Sequence, residues 1–121
     1  MKLQTATRAA VAALFIVSCK LAHAHAHPTH EVPGAGASVT TTQKDVAIDF
    51  DDAIEPAFSS ITVTDAQGKR VTSGKAAVDA GNRKHMAVGL TPLTAGIYTV
   101  AWVAVADDGH RTQGHYTFTV K

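Results

Sequence analysis

The 121-residue sequence predicts an all-β protein, either an immunoglobulin-like or a cupredoxin-like Greek-key β-sandwich (a small β-barrel). Three observations support this fold class. Short runs rich in β-branched residues alternate apolar and polar side chains, Gly-containing turns separate these runs, and no sustained helical period follows residue 24. Such evenly spaced strands are typical of a single sandwich domain, and their number predicts about seven strands.

The first 24 residues have the order of a secretory signal peptide. A basic start, MKLQTATR, precedes the apolar run AAVAALFIVSC, which is too short to cross a bilayer. Ala22-His23-Ala24 then forms a small-residue cleavage site. We therefore expect a signal peptide at 1–24, a domain at 25–121 that begins with His25, and export to a bacterial periplasm.

A second processing route is also open. Ile16-Val17-Ser18-Cys19 fits the lipobox of bacterial lipoproteins, in which the cysteine is lipidated and becomes the N-terminus. Cys19 is the single cysteine of the chain, so it has no internal disulfide partner. Cleavage after Ala24 is the principal prediction, and lipid attachment at Cys19 is the alternative.

The charge of the processed chain excludes one class of partner. Removal of residues 1–24 leaves eight of the eleven basic residues against ten acidic ones, a net charge of −2 with neutral histidines. A nucleic-acid-binding domain would carry a basic stripe, which this composition does not provide. We expect no nucleic-acid partner and a monomeric protein.

Four segments predict strands with one buried face. The inward-facing residues follow period two, and they are Val46, Ile48 and Phe50; Ile61 and Val63; Tyr98, Val100, Trp102 and Ala104; and Tyr116, Phe118 and Val120. Leu93-Thr94-Ala95-Gly96-Ile97-Tyr98 also has the form of a tyrosine corner, in which the tyrosine hydrogen-bonds back to the preceding connection. This motif favours the immunoglobulin-like sandwich.

Two clusters of chemically active residues stand out. Residues 21–30 read LAHAHAHPTH, and residues 106–115 read ADDGHRTQGH. Asp-Gly is a turn signal, so Asp108-Gly109-His110 is expected in the connection between the last two strands. Taken alone, that segment fits a hairpin tip with a solvated aspartate and a surface histidine.

In combination, these features resemble the CopC family of periplasmic copper-binding proteins. The resemblance rests on four pieces in order, spread over essentially the whole of 25–121. They are a signal ending before His25, the turn PGAG at 33–36, the segment LTAGIYTVAW at 93–102 and the segment DGHRTQG at 108–114.

The resemblance implies one Cu(II) ion per chain in a histidine-brace site. Its ligands here would be His25, through both its α-amine and its ring, together with Asp108 and His110. A free α-amine has a pKa near ~8, so copper can displace its proton at neutral pH. Three nitrogens and one carboxylate oxygen suit tetragonal Cu(II).

The remaining histidines have weaker expectations. His27 is a further candidate ligand, because a third-position histidine allows another Cu(II) binding mode. His30 is expected in a solvated arm, with a ligand role as the alternative. His85 is expected on the surface, with an edge-ligand role as the alternative, and His115 should point outward. The loop from Asp65 to Met86 contains a single methionine, so we predict no dedicated Cu(I) site, for which soft thioethers are the preferred ligands.

The resemblance implies copper buffering or delivery to an inner-membrane transporter of the CopD type, without enzymatic activity. Two alternatives remain open. One is a copper-dependent oxidative enzyme, since histidine braces also occur in polysaccharide-cleaving enzymes. The other is an immunoglobulin-like interaction module that binds no metal.

Overall fold

The computed structural model describes residues 25–121, and all of its regular structure is β. The predicted signal peptide, its cleavage site and the lipidation alternative at Cys19 lie outside the described residues. The strands are β1 (Pro28–Val32), β2 (Ser38–Val39), β3 (Asp45–Phe50), β4 (Ser60–Thr64), β5 (Ala77–Asp79), β6 (Asn82–Gly89), β7 (Gly96–Val105) and β8 (Arg111–Val120). Within this range no helix is long and apolar enough to cross a bilayer.

The strands form two four-stranded sheets, as the predicted sandwich requires. One sheet has the order β1-β3-β6-β5 and the other has the order β2-β8-β7-β4. The chain alternates between the sheets through its first four strands and then adds the hairpins β5–β6 and β7–β8. All pairs are antiparallel except β2–β8.

The predicted inward faces are confirmed. All the residues expected to face inward on the four segments are buried, and together with Ile54, Met86 and Val88 they form one core. The strand count is eight rather than about seven. The additional strand, β2, has only two residues and pairs with the end of β8. A strand this short cannot show an alternating pattern, so the sequence did not predict it.

The longest hairpin, β7–β8, contains one close contact between a tryptophan and a glycine. Trp102 pairs with Gly114 across the two strands. A Cβ at position 114 would lie 2.7 Å from Cζ2 of the indole, closer than real Cβ contacts. The indole therefore occupies the space of the missing side chain, and it meets Phe50 of the other sheet edge-on at 5.5 Å between ring centroids.

The tyrosine corner is also confirmed. The Tyr98 hydroxyl donates to the Thr94 carbonyl oxygen at 2.7 Å and accepts from the Thr94 backbone N–H at 3.1 Å. The ring is buried and stacks on Phe118 with 5.5 Å between centroids. This connection ties the start of β7 to the loop that brings the chain from the other sheet.

Candidate metal centre

The tip of the β7–β8 hairpin is a tight turn that presents the predicted Asp108 and His110. The Gly109 N–H donates to the Ala106 carbonyl at 2.9 Å, and the Ala106 N–H donates to the His110 carbonyl at 2.9 Å. Gly109 has φ of 87°, a left-handed conformation that glycine adopts at no steric cost. Glycine in this left-handed conformation is common in the turns of short hairpin loops.

Asp108 and His110 are held together at this tip. One carboxylate oxygen accepts from the His110 backbone N–H at 3.0 Å, and the other lies 2.7 Å from the ring Nδ1. The backbone hydrogen bond, followed by the ring contact, holds the pKa of the Asp108 carboxyl below its usual value. The side chain is therefore an anion at neutral pH.

Residues 25–27 are fastened beside this tip by contacts that do not use their rings. The Thr112 hydroxyl of β8 donates to the Ala26 carbonyl at 2.6 Å, and Ala26 is fully buried. The His27 N–H donates to a carboxylate oxygen of Asp51 at 2.7 Å, and the Asp51 N–H donates to the His27 carbonyl at 2.9 Å. The peptide groups that follow Ala26 are thus fixed to β8 and to the residue after β3.

This anchoring brings three imidazoles together. The centroids of the His25 and His110 rings are 5.1 Å apart, and those of His25 and His27 are 5.9 Å apart. Positions 25 and 110 are distant in sequence, so their meeting depends on the fold. Of the predicted ligands, His25, Asp108 and His110 share one rim of the sandwich, and His27 lies beside them.

The other histidines lie elsewhere. His115 is exposed on the outer face of β8, opposite Ala101, and His30 is exposed on β1. His85 is half-buried on β6, where its Nδ1 lies 2.7 Å from an oxygen of Asp49. Met86, at the end of the loop in which Cu(I) ligands were considered, is fully buried in the core.

The rim supplies donor atoms without a closed side-chain cage. Among residues 25–121, no group of three or more His, Cys, Asp or Glu side chains surrounds a common point. The predicted brace uses three such side chains, from His25, Asp108 and His110, so binding would require their donor atoms to move toward one point. The assignment of His25, Asp108 and His110 as ligands stays a prediction.

Sequence reasoning missed two residues at this rim, Asp51 and Thr112. In the sequence, Asp51 is one of several acidic residues at 49–52, and Thr112 is an unassigned position of the DGHRTQG segment. Both act on the backbone of residues 26 and 27, and their partners are 24 and 86 positions away. No local pattern indicates such contacts.

A sequence model of the CopC domain matches residues 28–121. The chain belongs to the CopC family. The CopC match includes Asp108 and His110 but begins three residues after His25, so it confirms the family without testing the brace.

Three named proteins are similar in sequence to this chain. YobA of Escherichia coli K12 is 38% identical over 99 residues, which cover 81% of this chain and 80% of YobA. Copper resistance protein C of E. coli is 34% identical over 107 residues, with coverage of 83% and 84%. Copper transport protein CutJ of Bacillus subtilis is 31% identical over 109 residues, which cover 88% of this chain but only 20% of CutJ.

Solved CopC structures have the same fold. CopC from Methylosinus trichosporium OB3b superposes with a TM-score of 0.75 at 32% identity, covering 80% of this chain and 94% of that one. PcoC, a methionine-rich copper resistance protein from E. coli, superposes with a TM-score of 0.71 at 33% identity, covering 81% and 100%. The all-β sandwich predicted from the sequence is therefore the CopC fold.

Proposed function

We propose that the protein is a periplasmic Cu(II)-binding protein of copper resistance and homeostasis, exported by a signal peptide at 1–24. It binds one Cu(II) ion in a histidine brace made by His25, Asp108 and His110. The observation that carries this proposal is the 5.1 Å separation of the His25 and His110 rings. Membership of the CopC family and the similarity to a copper resistance protein support the choice of copper.

The donor chemistry of the rim fits Cu(II). After cleavage, His25 offers an amine and an imidazole, which chelate one ion without ordering a second residue. Nδ1 of His110 and a carboxylate oxygen of Asp108 lie 2.7 Å apart. An ion bound by both side chains would replace this contact with two metal–ligand bonds. Imidazole, amine and carboxylate donors together favour Cu(II) among the divalent first-row ions.

Asp51 and Thr112 are assigned supporting roles. Both hold backbone atoms of residues 26 and 27, so they fix the direction in which His25 leaves the sandwich. His27 lies beside the site and is kept as a candidate for an additional ligand.

The same donor atoms favour copper binding and delivery over catalysis. An anionic carboxylate beside the imidazoles fills a position that oxygen chemistry would need open. In CutJ, the sequence related to this chain is one fifth of a longer protein named as a copper transport protein. We therefore propose delivery to an inner-membrane transporter of the CopD type, by a monomeric carrier.

The test is a Cu(II) titration of residues 25–121 against a competing chelator. Two variants test the brace separately: His110→Ala, and an extension of five histidine-free residues before His25. The extension turns the His25 amine into an amide and leaves no histidine in third position. We expect each to weaken binding by about tenfold or more, at least as much as the loss of an outer-shell group. His115→Ala, which changes an exposed histidine of β8 opposite Ala101, should bind as the parent does.

Unchanged affinity in both brace variants would contradict the proposed site. Oxidation of a glycan by the copper form with hydrogen peroxide would instead support the enzyme alternative. A protein that binds no Cu(II) at all would support the interaction-module alternative.

A further inference from the structure

Three chemically active side chains stand in one row across the outer face of the first sheet. In the register of β1 with β3, His30 pairs with Asp49, and in the register of β3 with β6, Asp49 pairs with His85. The neighbours Ile48 and Met86 point into the core, so this row points to solvent. From this row we infer a second, weaker divalent metal site, separate from the rim.

The spacing of the row suits one ion. Adjacent strands lie about 4.8 Å apart, so His30 and His85 are about 10 Å apart with Asp49 between them. An imidazole on each side can lean toward an ion above the carboxylate, with bonds of about 2.0 Å. Two imidazoles and one carboxylate are a ligand set used for Zn²⁺ and other divalent transition metals.

Part of this arrangement already exists. His85 Nδ1 lies 2.7 Å from Oδ1 of Asp49, and the exposed fractions of these two side chains are 35% and 38%. The Thr29 hydroxyl donates to the Asp49 carbonyl at 3.3 Å, which fastens β1 at its irregular register beside His30. As placed, the three side chains do not surround a common point. An ion above Asp49 would replace the His85 contact, and rotation of the two rings would complete the set.

The surroundings of the row leave room for that rotation. The next outward row on the same strands is Val32, Ala47 and Ala87, and two of these side chains are single methyl groups. The nearby cation Arg83 is directed elsewhere, because its guanidinium contacts Glu55 and Asp107. An ion above Asp49 would thus meet no bulky or paired side chain from these positions.

The experiment first removes two of the proposed Cu(II) ligands at the rim, the His25 amine and the His110 ring. In a protein with the five-residue N-terminal extension and His110→Ala, Cu(II) chloride is titrated and followed by calorimetry and by paramagnetic broadening of the amide signals. We expect one remaining site whose affinity falls about tenfold or more in His30→Ala, Asp49→Asn and His85→Ala. Broadening should centre on residues 30, 49 and 85.

His115→Ala is the matched control, because it removes an exposed strand histidine that faces Ala101 rather than a carboxylate. Equal loss in this variant would show that surface histidines bind copper individually, and would overturn the inference. So would broadening centred on His27, or the absence of any remaining site. These results concern a protein without the brace, so they leave the proposed function untouched.

Discussion

The two ends of the β7–β8 hairpin are built in different ways. Along its strands, Trp102 fills the space above Gly114 and the hydroxyl of Tyr98 is satisfied by its own connection. At its tip, Asp108 and His110 are exposed and depend on hydrogen bonds among polar groups. We therefore expect stability to depend mainly on the packed strands and metal binding to depend on the rim.

The largest expected effect comes from the packed end. In Gly114→Ala the new methyl group meets the indole of Trp102, so we expect a loss of about 1–3 kcal/mol in the free energy of unfolding. Gly81→Ala is the control, because a Cβ there meets only a side-chain oxygen of Asp79 at an ordinary 3.5 Å. Denaturant unfolding of both variants measures the difference, and equal stability would refute the role assigned to Trp102.

The next effect concerns the rim. Thr112→Val removes the donor to the Ala26 carbonyl while keeping the shape of the side chain, so we expect about tenfold weaker Cu(II) binding. Thr117→Val changes an exposed threonine of the same strand and should leave affinity unchanged. Competitive titration compares them. Full affinity in the Thr112 variant would mean that this anchor does not direct His25.

A smaller change is expected at the tyrosine corner. Tyr98→Phe leaves both backbone groups of Thr94 without their partner, and should cost about 1 kcal/mol of stability with copper affinity unchanged. Tyr116→Phe is the matched control, because that buried hydroxyl has no hydrogen-bond partner among the described residues. Thermal unfolding should separate the two, and a greater loss at Tyr116 would contradict the assignment.

The smallest effect belongs to Glu31, a partly buried residue of β1. Burial raises the pKa of its carboxyl above 4.5, so the folded state takes up a proton more readily than the unfolded state. The ionised group therefore lowers stability above that pH, and the cost disappears as the pH falls below it. Glu31→Gln should stabilise the protein at pH 7 by up to about 0.5 kcal/mol. A gain that persists unchanged below pH 4.5 would contradict this cause.

The core strands and the tyrosine corner could be predicted because their sequence patterns are local. Alternation of apolar residues identified β3, β4, β7 and β8, and the spacing from Leu93 to Tyr98 identified the corner. The reason for Gly114 was not predicted, because it depends on the register that places it opposite Trp102.

The rim could be predicted only as a set of candidate ligands. Asp108 and His110 share one turn, but the approach of His25 depends on Thr112 and Asp51, whose contacts cross the sandwich. The row of His30, Asp49 and His85 depends likewise on the registers of three strands, one of them interrupted by an irregularity between Pro28 and His30. Pairings of this kind follow from the fold rather than from neighbouring residues.

The central claim is that the backbone nitrogen of His25 binds the ion together with its own ring. Electron–nuclear double resonance on the processed protein loaded with one Cu(II) tests it directly, with ¹⁵N-labelled histidine distinguishing ring and amine nitrogens by their couplings. We predict three strongly coupled nitrogens, one of which carries exchangeable protons and is lost when five histidine-free residues precede His25. A spectrum with only imidazole nitrogens, identical in the processed and extended proteins, would contradict the account.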